Sequence, residues 1–232
     1  METGWVDFLV QAELSVLGFI PVSSNVTLFC EASFEGFTSP VIYKPLSGEK
    51  PLFDFPPGLY KREVLAYRLS SYLGIDLIPE TVEVSGPYGV GSVQRFIPND
   101  VSVNYFTLLE EQTHIPLLRM LCGFDLLINN ADRKAGHVIL GDDGAIYGID
   151  HGLCFHSEEK LRTVMWDFIG EEIPEKIMQG CLLLSESTPE FMSIYLSEEE
   201  IEATVDRASL MVKAGCFPRP PEERFYYPWP IV

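Results

Sequence analysis

Apolar residues occur in short runs along the first hundred positions and at helical spacing along most of the rest. Runs rich in Val, Leu, Ile and Phe predict strands at residues 12–20, 25–32, 40–45, 80–84 and 91–97. Between the third and fourth runs, leucines at four-residue steps predict a helix that starts at Leu59 and ends at a C-cap, Gly74. We therefore expect the first half of the chain to be a sheet with one helix.

The second half of the chain has the pattern of a helical region. Apolar spacing predicts helices at residues 105–112, 116–129, 174–185 and 197–214. Ser197 and Glu200 match a capping box, and Gly215 follows the last helix. The tail 217–232 is rich in proline and aromatic residues, which is typical of either an extended strap over the last helices or a frayed end.

One predicted hairpin within the helical half carries most of the polar chemistry. The apolar runs 138–140 and 145–149 flank a Gly-Asp-Asp-Gly turn. Because a hairpin brings its two ends together, we expect Asp132, His137 and Asp150 to lie near one another. Two carboxylates held in that way repel each other unless a divalent metal with a phosphate, or a shared proton, lies between them.

Composition and charge narrow the class of protein. The 232 residues are 47% apolar, which argues against disorder and fits one ordinary domain or two closely packed lobes. The net charge of −18 would repel nucleic acid and anionic membranes, so no nucleic-acid partner is expected. The cysteines lack a CxxC pair, and neither a signal peptide nor a transmembrane run is seen. These features predict a cytoplasmic protein.

Four polar residues in the first half have both a structural and a functional interpretation. Lys44 is the only charge in its strand, where it either extends to water or binds phosphate oxygens in a cleft. Glu63, in the first turn of the predicted helix, either interacts with the helix dipole or pairs with Lys44. Ser23 and Ser24 lie in a loop that either cradles a phosphate or forms an ordinary hairpin turn.

A strand lysine, a helix glutamate, an aspartate loop and a hairpin followed by a second aspartate together describe a two-lobed kinase. The protein-kinase motifs GxGxxG and HRDxxxxN are absent. The segments VIYKP, KREVLAYRL, NNADRKAGHVIL and GIDHGLCF resemble the atypical kinases of the phosphoinositide 3-/4-kinase and HipA-like kind. More closely, residues 6–173 resemble an uncharacterised bacterial family of short proteins with that catalytic core. The resemblance implies one α+β kinase-like domain, with a β-rich lobe at 1–97 and a helical lobe at 98–232.

The resemblance also implies which residues of the first lobe would bind ATP. Lys44 matches the lysine that contacts the α- and β-phosphates, and Glu63 matches its ion-pair partner. VQRFIP resembles the strand that leads into the hinge between lobes, so backbone groups from Arg95 to Ile97 would meet the adenine edge.

In the second lobe, the same resemblance assigns the catalytic and metal-binding positions. Asp132 of the N-x-D-R loop would orient or deprotonate the acceptor hydroxyl, and Arg133 or Lys134 would hold the transferring group. Asp150 would bind the metal. His137 stands where the related kinases usually have asparagine, and an imidazole suits manganese better than magnesium. His137 is therefore either a ligand for a softer metal, a phosphate contact, or a structural residue.

Three functions fit these features. The first is an ATP- and Mg- or Mn-dependent phosphotransferase that acts on a hydroxyl of a protein, lipid or small molecule. The second is a nucleotide-binding pseudokinase that acts as a regulatory module. The third is a metallohydrolase that uses His137, His151 and His156 with Asp132 and Asp150, although no HxxxH or HEXXH spacing favours it. Related kinases leave transfer of AMP open as well. For an anionic lipid acceptor, the only candidate basic patch is the segment 160–162.

Overall fold

A five-stranded antiparallel sheet forms the first part of the molecule, in a computed structural model that describes residues 4–21, 25–220 and 225–232. The strand order is β1-β2-β3-β5-β4. All five predicted strands are present, with small shifts at their ends. Their bounds are β1 (Glu13–Phe19), β2 (Leu28–Phe34), β3 (Phe37–Pro45), β4 (Thr81–Gly86) and β5 (Gly89–Arg95).

The two faces of the sheet have different partners. Val41 and Tyr43 of β3 are buried on one face, which packs against Phe8 and Leu9 of a short helix, α1 (Trp5–Gln11). The sequence pattern did not predict this helix. Because side chains alternate along a strand, Lys44 lies on the opposite face. The sheet therefore directs Lys44 away from its own hydrophobic core and towards the rest of the chain.

The helix α2 (Leu59–Tyr72) confirms the helix that the leucine repeat predicted, and Gly74 beyond its end has a φ of 64°. Its N-terminal amides are capped by Glu49, whose carboxylate accepts bonds from the backbone N–H groups of Gly58 (2.8 Å) and Tyr60 (2.9 Å). Glu63 lies beyond the first turn and is 3% exposed, so its interpretation as the helix-dipole partner is wrong.

The second half of the chain is helical, as predicted. Its helices are α3 (Tyr105–Leu109), α4 (Ile115–Leu127), α5 (Glu175–Glu186) and α6 (Glu198–Ala214). The capping box of Ser197 and Glu200 forms at the start of α6, and Gly215 ends the helix with a φ of 68°. Leu65 and Leu69 of α2 belong to the same hydrophobic cluster as the buried faces of α4 and α5. The helix α2 is therefore packed against both the sheet and the helical half.

The predicted hairpin forms between β6 (Val138–Leu140) and β7 (Ile146–Gly148). The described part of the tail is a strap rather than a frayed end, but it does not lie only along the last helices. The carbonyl of Tyr226 accepts a bond from the amide of Thr163 (3.0 Å), and that of Ile231 accepts one from Ala135 (2.9 Å). The strap therefore borders the aspartate loop. Within the part of the chain that the structure describes, no helix is long and apolar enough to cross a membrane.

Candidate active site

Lys44 connects three elements of the fold at a cleft. Its Nζ lies 2.5 Å from Glu63 Oε1 on α2 and 2.8 Å from Asp150 Oδ1, just after β7. Asp132 lines the same cleft, which has a volume of about 140 Å³. The structure therefore brings together four residues that the sequence had singled out for phosphate, metal and acceptor binding.

The charges of this cleft stabilise one another. Burial alone would lower the pKa of Lys44, but the carboxylates of Asp150 and Glu63 raise it above its ordinary value. Burial opposes ionisation of Asp150, yet the ammonium of Lys44 holds its pKa well below the ordinary range. Asp150 also has a φ of 61°, in the left-handed region that aspartate tolerates better than most residues. Lys44 is thus cationic and Asp150 anionic at neutral pH.

His137 presents a free lone pair to Asp150. Its Nδ1 lies 3.1 Å from the carbonyl oxygen of Asp132, and because that oxygen only accepts, Nδ1 must carry the proton. Burial lowers the pKa of His137 to about 4, although Asp150 opposes this, so the ring is neutral. Nε2 is then an acceptor that faces Asp150 Oδ2 at 3.3 Å. Two acceptors this close repel each other unless a cation lies between them.

The pair formed by His137 and Asp150 fits a divalent metal. Histidine ligands commonly donate their second ring N–H to a backbone carbonyl, as His137 does to Asp132. Among the described residues, no group of three or more His, Cys, Asp or Glu side chains could hold a metal ion. The chain would therefore supply two ligands, and phosphate oxygens or water would supply the others, which is common for Mg²⁺ and Mn²⁺ sites that bind nucleotides.

Asp132 has one carboxylate oxygen engaged and one free. Oδ2 accepts a bond from Lys134 Nζ at 2.8 Å, and the side chain of Asn130 accepts a bond from the backbone N–H of Asp132 at 3.0 Å. Oδ1 has no partner among the residues that the structure describes. Burial raises the pKa of Asp132 and the nearby charge of Asp150 adds to this effect, whereas Lys134 opposes it. A carboxylate with a raised pKa and a free oxygen has the properties of a general base.

Comparison with known proteins places the chain in a family. No protein-family model matches it. Over 260 residues it is 36% identical to the protein Rv2133c of Mycobacterium tuberculosis, and the match covers 96% of this chain and 93% of that protein. The chain belongs to the Rv2133c family.

Two solved structures resemble this member of the Rv2133c family in fold. The proinflammatory kinase CtkA of Helicobacter pylori has a TM-score of 0.52 and 11% identity, covering 90% of this chain and 94% of its own. Hydra Fam20, solved with sugar, has a TM-score of 0.54 and 14% identity, covering 90% and 86%. The predicted α+β, kinase-like fold is confirmed. Membership of the phosphoinositide 3-/4-kinase or HipA-like group and the division into lobes at residue 97 stay predictions.

In this Rv2133c relative, Arg133 is buried and does not face the cleft. Its Nε and Nη2 donate to the two carboxylate oxygens of Asp125 at 2.6 and 2.9 Å. Its Nη1 donates to the carbonyls of His137 (3.0 Å) and Ile149 (2.7 Å), and Nη2 also contacts His151 Nε2 at 2.7 Å. This geometry does not fit the direct contact with a transferring phosphate that the sequence suggested. Arg133 instead holds both ends of the hairpin in place.

The residues suggested for adenine and phosphate binding do not lie together in the structure. Arg95 is paired with Val41 across the sheet, and its guanidinium lies over Trp5 of α1, so it is on the opposite face from Lys44. The backbone N–H of Arg95 donates to the carbonyl of Glu80. Ile97 is buried in a small apolar cluster with hairpin residues rather than lining the cleft of Lys44. Ser23 and Ser24 lie outside the described residues.

Asp125 and His151 support the site, although the sequence pattern pointed to no role for Asp125 and only to a metallohydrolase role for His151. Asp125 is the one acid in the apolar stretch 120–128, and a carboxylate on a buried helix face requires a partner. That stretch is the signal that would have pointed to a buried cation such as Arg133. His151 is fully buried, and its backbone N–H donates to Glu63 Oε2 at 2.9 Å. His151 is therefore a structural link between the hairpin and α2.

Proposed function

We propose that the protein is an ATP- and divalent-metal-dependent phosphotransferase that moves the γ-phosphate to a hydroxyl group. The observation that supports this most is Lys44, joined to Glu63 and Asp150 in a cleft that Asp132 also lines. Phosphoryl transfer depends mainly on positioning and charge neutralisation, and this arrangement supplies a fixed ammonium, a metal-binding carboxylate and a base. The kinase-like fold agrees with the proposal.

The charge balance of the cleft explains why a metal would be needed. Lys44, Lys134 and Arg162, whose charge acts on Asp132, contribute three positive charges, and Glu63, Asp132 and Asp150 contribute three negative charges, so the site has no net charge. Such a site does not attract a triphosphate. A divalent ion on the acidic side gives the site a net positive charge and makes binding of the triphosphate favourable.

Each residue then has a defined task. Asp150 and His137 would hold the metal, which would neutralise charge on the phosphate oxygens. Lys44 would bind the phosphates, with Glu63 fixing the direction of its ammonium group. Asp132 Oδ1 would take the proton of the acceptor hydroxyl as the acceptor oxygen bonds to the γ-phosphorus. The bond to the bridging oxygen of ADP breaks in the same step, and ADP leaves with the electron pair.

The proposal is tested with three proteins: wild type, Asp150→Asn and Asp132→Asn. Asparagine is chosen at position 150 because it tolerates the left-handed backbone. We expect ATP with Mn²⁺ to raise the melting temperature of wild type and Asp132→Asn but not of Asp150→Asn, since a ligand of the native state stabilises it by mass action. ADP release should be lost in both variants.

The products of the same assay separate the alternatives. Release of pyrophosphate instead of ADP would indicate transfer of AMP. A metal-dependent thermal shift without release of either product would favour the pseudokinase. Equal ADP release by wild type and both variants would show that these residues do not carry the reaction.

A further inference from the structure

Arg162 is held rigidly against the loop that carries Asp132. Its backbone N–H donates to the carbonyl of Asn130, and its own carbonyl accepts from the N–H of Arg133, both at 3.0 Å. Its side-chain Nε donates to the carbonyl of Ala131 at 2.7 Å. Because backbone and side chain are both fixed, the guanidinium has a defined position next to Asp132.

The two terminal nitrogens of Arg162 have no partner in the part of the chain that the structure describes. Within residues 4–21, 25–220 and 225–232, neither Nη1 nor Nη2 has a hydrogen-bond or ion-pair partner, and neither is among the buried unpartnered atoms. Of the other arginines, Arg62, Arg95, Arg119 and Arg133 are paired with carboxylates, whereas Arg68 and Arg207 bond to hydroxyl or carbonyl groups. In a chain with 34 acidic residues, a fixed, half-buried guanidinium beside the proposed base, with no described carboxylate partner, suggests an external partner.

The charge around Asp132 favours an anion on this side of the cleft. Lys134 bonds the Asp132 carboxylate and the charge of Arg162 also acts on it, so two cations face this carboxylate, while the negative charge of Asp150 acts on it in the opposite sense. Lys160 does not add to this excess, because its Nζ is shared by Glu158 at 3.0 Å and Asp54 at 3.8 Å. The side that holds Lys44 has the opposite balance, with two carboxylates around one ammonium.

We infer that the phosphate acceptor is a hydroxylated anion, whose phosphate or carboxylate group is bound by Nη1 and Nη2 of Arg162. The planar fork of a guanidinium matches two oxygens of such a group, and charge-assisted bonds of this kind are strong. The acceptor hydroxyl would then lie at Asp132 Oδ1. The local cations are needed because the overall charge of −18 repels anions at long range. The identity of the acceptor rests on the proposed function, whereas binding of the anion does not.

Inorganic phosphate is the probe that tests the anion site directly. Thermal unfolding is followed while phosphate is added without ATP or metal, against sodium chloride at equal ionic strength. We expect phosphate to stabilise wild type, and Arg162→Gln to weaken its apparent affinity by about tenfold or more. Lys160→Gln is the matched control and should bind phosphate like wild type.

Two results would overturn the inference. One is a wild-type response to phosphate no larger than its response to chloride. The other is an equal response of wild type and Arg162→Gln. Arg162→Lys is a second variant that keeps the test valid if Arg162→Gln does not fold. It should bind phosphate more weakly than wild type, since its ammonium cannot form two parallel bonds. A parallel titration with acetate distinguishes a carboxylate from a phosphate group. These binding results do not depend on kinase activity: if the protein released no ADP, we would still expect Arg162 to bind phosphate.

Discussion

Two networks of charged and polar residues contact the ends of the hairpin, and they differ in how many of their polar groups remain accessible to a ligand. The inner network consists of Arg133, Asp125 and His151. The cleft network consists of Lys44, Glu63, Asp150 and His137. The side chains of Arg133 and Asp125 are 0% and 1% exposed, whereas those of Lys44 and Asp150 are 24% and 46% exposed.

This difference separates a structural role from a functional one. Both carboxylate oxygens of Asp125 and every group of the Arg133 guanidinium bond to protein atoms, so no ligand can replace a partner without unfolding the loop. In the cleft network, one ammonium is shared by two carboxylates, and an imidazole lone pair faces a carboxylate oxygen. Under the proposed function, a phosphate or a metal would exchange with these partners. Charged groups that are buried and fully hydrogen-bonded therefore fix the fold, whereas partly exposed charged groups that share a partner are available for chemistry.

The largest expected effect is on stability, from breaking the inner network. Arg133→Met leaves Asp125 buried without a counter-ion and removes donors from two backbone carbonyls. We expect it to lower the free energy of unfolding by about 3–5 kcal/mol, measured by urea denaturation. Arg133→Lys keeps the charge but loses the fork, so it should lose less.

The matched change in the cleft network should have little effect on stability. Asp150→Asn leaves the pair of Lys44 and Glu63 intact at a half-exposed position, so we expect a change within about 1 kcal/mol. If Arg133→Met and Asp150→Asn destabilised the protein equally, the distinction between the two networks would be wrong.

A smaller effect is expected from His137→Asn, which tests the metal side of the cleft network. Replacing the imidazole nitrogen that faces Asp150 with an amide oxygen should favour the harder ion. We expect the ratio of apparent Mg²⁺ to Mn²⁺ affinity to rise by about tenfold, measured from the thermal shift with ATP. His114→Asn, outside the cleft, is the control. An unchanged ratio in His137→Asn would place the metal elsewhere.

The smallest expected effect is a shift in the pH dependence of activity, which tests Asp132 as the base. A base must be ionised, so activity falls as the pH drops through its pKa, which burial has raised. Lys134 lowers that pKa, so Lys134→Gln should move the acid limb of the rate profile to higher pH. The profile of kcat/KM for ADP release measures this. Lys160→Gln should leave the limb in place, and an unshifted limb in Lys134→Gln would argue against Asp132 as the base.

Local sequence patterns determined much of this molecule. Short runs of Val, Leu, Ile and Phe predicted the five strands, and a helical apolar period predicted the helix α2, because both patterns reflect local backbone preferences. The Gly-Asp-Asp-Gly turn predicted the hairpin, and with it the proximity of His137 and Asp150. Such features depend on neighbours within a few residues, which is why they could be predicted from the chain itself.

Only the tertiary structure decided which charges meet. Lys44 and Asp150 are 106 positions apart, and their contact depends on how the sheet packs against the hairpin. The same packing buried Arg133, which the sequence had suggested for phosphate binding, and placed Arg95 on the face opposite Lys44. The residue type determines which bonds a side chain can form. Whether it forms them inside the protein or offers them to a ligand depends on burial, and burial is a property of the whole fold.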